Sequence, residues 1–204
     1  RSYDPAEGVA PILAALERLA DAGAADGIVF SDLYMLTALS DAAPALASRL
    51  EAVPSVNFGI DCPEKVHAVC DAVEQTRFRP PGKIPLDREL NRRPAALFKT
   101  AAAARHRLHD AGIELLANEG CLVQCPFRQT HEAMIAAANA GMGEDTFCAN
   151  RDLGCIRRLS EAPHRLFASP FIRPEDLHRY EGAADIVKLC GRTLGNGFLM
   201  RAVV

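Results

Sequence analysis

Ile113-Glu-Leu-Leu-Ala117, followed without a break by Asn118-Glu-Gly-Cys121-Leu-Val-Gln-Cys125-Pro-Phe-Arg128, is the stretch on which the fold turns. A short apolar run bounded by Gly112 and a polar residue has the length and composition of a buried strand. A cysteine-bearing loop comes next, and in α/β proteins the loops after the strands are where binding and catalytic groups are carried. Before the strand, Pro94 to Ala111 predicts a helix, with Pro94 suited to the first turn, an alanine run of high helix propensity, and Gly112 to close it. After the loop, Pro126 to Ala140 predicts another.

The same alternation extends outward. Ile12, Leu13, Leu16 and Leu19 mark an amphipathic helix ending near Gly23, and Gly27-Ile-Val-Phe30 reads as a strand. Leu33 to Leu39 reads as helical, Val56 to Ile60 as extended, and Cys62 to Val73 as a helix with Val66, Val69, Cys70 and Val73 on one face. Ile84-Pro-Leu86 is a short strand behind the restrictive Arg79-Pro-Pro-Gly82. Leu166 to Ala168 and Ile186 to Leu189 complete the expected strands, with a short helix over Pro174 to Tyr180 between them. Strands alternating with helices predict a parallel sheet, either an open doubly wound one or a (β/α)8-type, TIM-like barrel. The expectation is a single domain over residues 1–204. For a barrel it would be incomplete at the N-terminus, with its first strands missing or supplied by a partner.

Composition narrows the function classes. The 204 residues carry a formal charge of -3, which gives no general attraction to nucleic acid or an anionic membrane. No apolar run approaches the roughly 20 residues of a membrane span, and no secretion signal stands at the start, so no membrane partner and a cytoplasmic location are expected. Seven cysteines, an odd number, point to reduced thiols rather than a disulfide framework. The lack of tryptophan argues against a broad aromatic platform for single-stranded nucleic acid.

Cys121 and Cys125 can approach one metal or cluster from a single tight turn, for which Gly120 offers backbone freedom. Cys148 and Cys155 form a second pair in a polar stretch without helical or strand period. Four thiolates suit an iron-sulfur cluster or a tetrahedral zinc, and the six-residue gap in the second pair tilts toward the cluster. Cys62 and Cys70 read as core, whereas Cys190, after the last strand, could substitute for a ligand. Polar residues gather where strands are expected to end: Asp87, Arg88, Asn91 and Arg92 in one segment, Ser169 to Asp176 in a second, Gly191-Arg192-Thr193 in a third. Arginines placed there can hold a carboxylate or phosphate in a bidentate grip. The His131-Glu132 pair lacks the second histidine of a zinc-protease helix, because Ile135 stands in its place. Nucleophile-elbow and Walker patterns are missing from the sequence.

Three blocks together resemble the collagenase-like peptidase family, peptidase class U thirty-two: Asn118 to Arg128 with His131, Ser169-Pro-Phe-Ile-Arg-Pro-Glu-Asp-Leu177, and Lys188 with Gly191-Arg-Thr193. Asp87 to Arg92 is a weaker fourth, and the resemblance runs from about Ala25 to Arg201. It implies the barrel rather than the open sheet, and a 4Fe-4S cluster on Cys121, Cys125, Cys148 and Cys155. It also implies a redox enzyme for oxygen-independent hydroxylation or related tailoring of a small molecule or modified nucleoside, served by an electron donor. Arg128, Arg173, Arg192, Asn91 and Glu119 would then carry or orient the chemistry. The alternatives are a peptidase of the collagenase-like type and a non-catalytic, metal-stabilised RNA-binding or scaffold subunit. Many members carry a later cysteine near the position of His178, so His178 or Cys190 could replace one ligand. A homodimer or a related partner subunit is a further expectation.

Overall fold

A computed structural model describes residues 3–139, 141–142, 146–191 and 195–203 of the chain. They gather into two compact units, Arg1–Leu116 with Glu175–Lys188, and Ala117–Pro174 with Leu189–Val204.

The first unit is a run of strand and helix pairs: α1 (Ala10–Asp21), β1 (Gly27–Phe30), α2 (Leu33–Ala42), α3 (Pro44–Ala47), β2 (Glu51–Pro54), α4 (Pro63–Glu74), β3 (Lys83–Pro85), α5 (Pro94–Arg107) and β4 (Gly112–Leu116). β5 (Ile186–Lys188) returns to it from later in the chain. Local chemistry sets the boundaries. The Asp32 carboxylate accepts from the Met35 amide at 3.1 Å and so opens α2, while Pro63 and Pro94 occupy first turns where no amide is needed. Val66, Val69, Cys70 and Val73 of α4 are buried together, as their spacing predicts, and α4 packs against α5. Burial pushes the Cys70 thiol pKa up, as befits a core cysteine.

Every strand pairing is parallel. β1 lies against β2 with Gly27 opposite Glu51, β3 against β4 with Lys83 opposite Gly112, and β4 against β5 with Glu114 opposite Ile186. A parallel bridge from Glu51 to Arg79 joins β2 to the lead of β3. Neighbours therefore follow chain order. A doubly wound sheet reverses its order at a switch point, whereas a barrel keeps adding strands in one direction, so these strands are compatible with barrel winding. A complete eight-stranded closure is not shown by them.

Two expected strands are corrected. Residues 56–60 are not extended: Ser55 accepts from the Asn57 amide at 3.2 Å, a 3-10 turn follows over Val56–Phe58, and Gly59 takes the left-handed φ of 58°. The strand is instead Glu51–Pro54, hidden from pattern reading by its charged first residue and its terminal proline. Residues 166–168 belong to a 3-10 helix, Pro163–Ala168. The Ser169 block thus follows a helical turn rather than a strand.

The second unit is helical: α6 (Arg128–Asn139), α7 (Thr146–Asp152), α8 (Cys155–Glu161), that 3-10 helix, and α9 (Asn196–Val203). The stretch around Cys148 and Cys155, expected to be irregular, is thus the pair α7 and α8. Among the described residues no helix is long and apolar enough to cross a membrane.

Candidate metal centre

The chain leaves β4 and enters the second unit through Ala117, whose carbonyl accepts from the Ile172 amide at 2.7 Å. Asn118 then takes hold of a distant peptide. Its Nδ2 donates to the Cys190 carbonyl at 2.9 Å and its Oδ1 accepts from the Cys190 amide at 2.7 Å. The Cys190 thiol itself points to the Asn118 carbonyl at 3.8 Å. The two segments that bear Cys121 and Cys190 are therefore fixed to each other, within one unit, at their first residues.

Between the cysteines of the first pair, Leu122 is buried and anchors the loop. The turn is made by Gln124, not by Gly120: Gln124 has φ 48°, the left-handed region that a side chain enters at a cost of about 1–2 kcal/mol. Strain of this kind concentrates at functional sites. The Cys125 carbonyl then accepts from the Arg128 amide at 3.2 Å, and α6 begins.

Cys148 lies on α7 and Cys155 is the first residue of α8. Gly154 joins the helices because nothing larger fits there: a Cβ would lie 2.5 Å from Asn150 Oδ1 and 2.9 Å from Asn150 Cα. The buried Asn150 in turn receives the Cys155 thiol at 3.7 Å. Arg158, one turn along α8, stacks over the Phe127 ring at 5.1 Å and ties this helix to the Cys125 loop. Cys121, Cys125, Cys148 and Cys155 are all half-buried and all belong to the second unit.

The electrostatics link one cysteine of each pair. The Cys155 thiol pKa is raised first by burial and then by the charge of Cys125, against a smaller opposing pull from the amides of Cys155 and Ile156. Cys125 is thus near enough to be felt at Cys155, although 30 positions separate them. Among the described residues, no group of three or more His, Cys, Asp or Glu side chains could hold a single metal ion.

The remaining expected residues are dispersed. Arg128 is half-buried and paired with Glu132 on its own helix, Nε to Oε1 at 3.0 Å. Glu119 is half-buried and Arg173 exposed, both in the second unit, and Arg192 lies outside the described residues. Asn91 sits in the first unit, 6% exposed, with Nδ2 donating to the Leu116 carbonyl at 2.9 Å and its own carbonyl accepting from Tyr180 at 2.9 Å. Its amide therefore holds the end of β4. Arg88 and Asp87 are buried polar side chains too, whereas Arg92 of the same segment is exposed. His178 is exposed in the first unit, its Nδ1 at 2.9 Å from the Glu175 carbonyl. Asn150, Phe127 and Arg158 were not singled out by sequence, since no motif spacing marks a residue that supports a cysteine.

An uncharacterized protease of Methanocaldococcus jannaschii is 30% identical to this chain over 152 residues. The match takes in 72% of this chain and 43% of the relative. It supports the family link drawn from the sequence motifs. The chain spans less than half of that relative's length. No family model matches the chain and no solved structure does.

Proposed function

We propose that the protein belongs to an enzyme of the collagenase-like peptidase type whose second unit holds a 4Fe-4S cluster on Cys121, Cys125, Cys148 and Cys155. The influence of Cys125 on Cys155, one thiol of each pair, is the observation that supports this reading. The residues fit such a group in kind. The donor set is all thiol, each thiol half-buried and each in the second unit, and in a cluster each thiolate meets its own iron instead of converging on a shared ion. Burial keeps the Cys155 thiol protonated in the bare protein, so loading would release its proton.

When bound, the cluster would supply one-electron transfer for oxygen-independent hydroxylation or related tailoring of a small molecule or modified nucleoside, in exchange with an external electron donor. The chain's own residues would do the rest. Gln124 and Leu122 set the cysteine loop, Asn118 fixes the segment of Cys190, and the Arg158 to Phe127 stack holds α8 against the loop. Arg128 and Arg173, in the same unit, are suited to orient an anionic substrate.

Peptide-bond hydrolysis is the second reading. The protease name of the archaeal relative favours it, and on that comparison it stands better than the redox reading. Gelatin cleavage separates the two. Robust cleavage by air-exposed, iron-free protein, unaffected by a chelator, supports the peptidase. An inert iron-free protein whose cluster-loaded form exchanges electrons with a dye supports the redox enzyme.

A further inference from the structure

Lys83, Glu114 and Lys188 come from three adjacent parallel strands of the first unit. Glu114 is opposite Pro85 on one side and Ile186 on the other, and each lysine stands two positions along its strand from those partners. Side chains alternate along a strand, so all three share one face, while Ile84, Ile113 and Leu115 share the other and are fully buried. A covered parallel sheet normally presents apolar side chains on both faces. Here one face carries a carboxylate with only 3% of its side chain exposed, set between two ammonium groups.

We propose that Lys83 and Lys188, positioned by Glu114, form a seat for one oxyanion group, the phosphate or carboxylate of a small ligand. Charge is the first argument: one buried carboxylate balances one ammonium, and the second positive charge is left over. Geometry is the second. Lys83 Nζ donates to Glu114 Oε2 at 2.5 Å, whereas Lys188 Nζ lies 3.2 Å from Oε1 without making a hydrogen bond to that oxygen. Among the described residues Lys188 is therefore held in place by attraction, with its donors left for another acceptor. Exposure is the third, since the lysine side chains are 37% and 39% exposed while the carboxylate between them is closed to solvent. The glutamate restrains both ammonium groups, which lowers the ordering cost of gripping an anion. The seat lies wholly in the first unit and is independent of the cysteines.

The test is a titration of the whole chain, carbon-labelled at lysine Cε, with inorganic phosphate and separately with acetate, read by nuclear magnetic resonance. The expected result is a saturable shift of the Lys83 and Lys188 signals, in the phosphate arm for a phosphate seat and in the acetate arm for a carboxylate seat. Lys188→Met should weaken it about tenfold and the exposed Lys99→Met should leave it unchanged. Should Lys188→Met fail to fold, the wild-type titration decides alone. Absence of a saturable shift at both lysines with both anions, or equal affinity in a folded Lys188→Met, overturns the proposal.

Discussion

The side chain of Asn118 pairs with the peptide of Cys190 as one strand pairs with another, accepting from its amide at 2.7 Å and donating to its carbonyl at 2.9 Å. Two segments 72 positions apart are thereby locked without a β-ladder. Asn118→Ala should lose both bonds and cost about 1–3 kcal/mol, read by urea unfolding. Asn118→Asp, which keeps only an acceptor, should fall between the wild type and the alanine variant. An unchanged midpoint in Asn118→Ala would show the clamp to be idle.

Gln124 carries backbone strain, so its replacements should order by what each residue tolerates at φ 48°. Gln124→Gly should be neutral or stabilising by up to about 1 kcal/mol, and Gln124→Val destabilising by about 1–2 kcal/mol, in thermal unfolding of the cluster-free protein. Destabilisation by glycine larger than that by valine would contradict the assignment.

The Cys155 thiol, raised by burial and by the charge of Cys125, should alkylate slowly at neutral pH in the cluster-free protein. Its rate should rise with pH and reach half its maximum only above the ordinary thiol value of 9.0. Cys125→Ala removes the second cause and should shift the Cys155 rate profile to lower pH, as followed by mass spectrometry of the Cys155 peptide. A profile that does not move would separate the two residues.

Asp185 connects β4 to α5 within the first unit. It accepts from the Ile113 amide at 2.8 Å and from Arg105 at 2.9 and 3.2 Å. The Arg105 hydrogen bonds, followed by the Ile113 amide, hold the Asp185 carboxyl below its ordinary value of 3.8. A depressed folded pKa contributes stability above the unfolded value, and that stability is lost as pH falls through the folded value. Asp185→Asn should therefore cost about 1 kcal/mol at neutral pH, a modest figure because the pair is partly solvated. The gap should close below about pH 4; a gap constant down to acid pH would contradict the ion pair.

Legibility in the sequence followed the strength of the local signal. α4 and α5 were readable because proline starts and apolar stripes agree, and β1, β4 and β5 because short apolar runs sit between turn residues. β2 was not, since Glu51 is paired between Gly27 of β1 and Arg79, with Gly82 on its carboxylate, in contacts that only the fold creates. The short helices α7 and α8 escaped because Gly154, which looks like a helix breaker, is the joint between them. The cysteines were visible as residues, but their support by Asn118, Asn150 and Arg158 depends on tertiary contacts that leave no spacing signature. Asp87, Arg88 and Asn91 were visible as a polar cluster, but their burial depends on tertiary contacts that the sequence pattern does not carry.

Iron and acid-labile sulfide analysis of protein purified without air tests the cysteine centre most directly. The predicted result is brown protein with about four irons and four sulfides per chain, falling sharply in each of Cys121→Ser, Cys125→Ser, Cys148→Ser and Cys155→Ser while Cys70→Ser keeps its iron. Colourless protein that contains no iron after anaerobic purification and reconstitution, or full iron retained in the Cys125→Ser and Cys155→Ser variants, would contradict it.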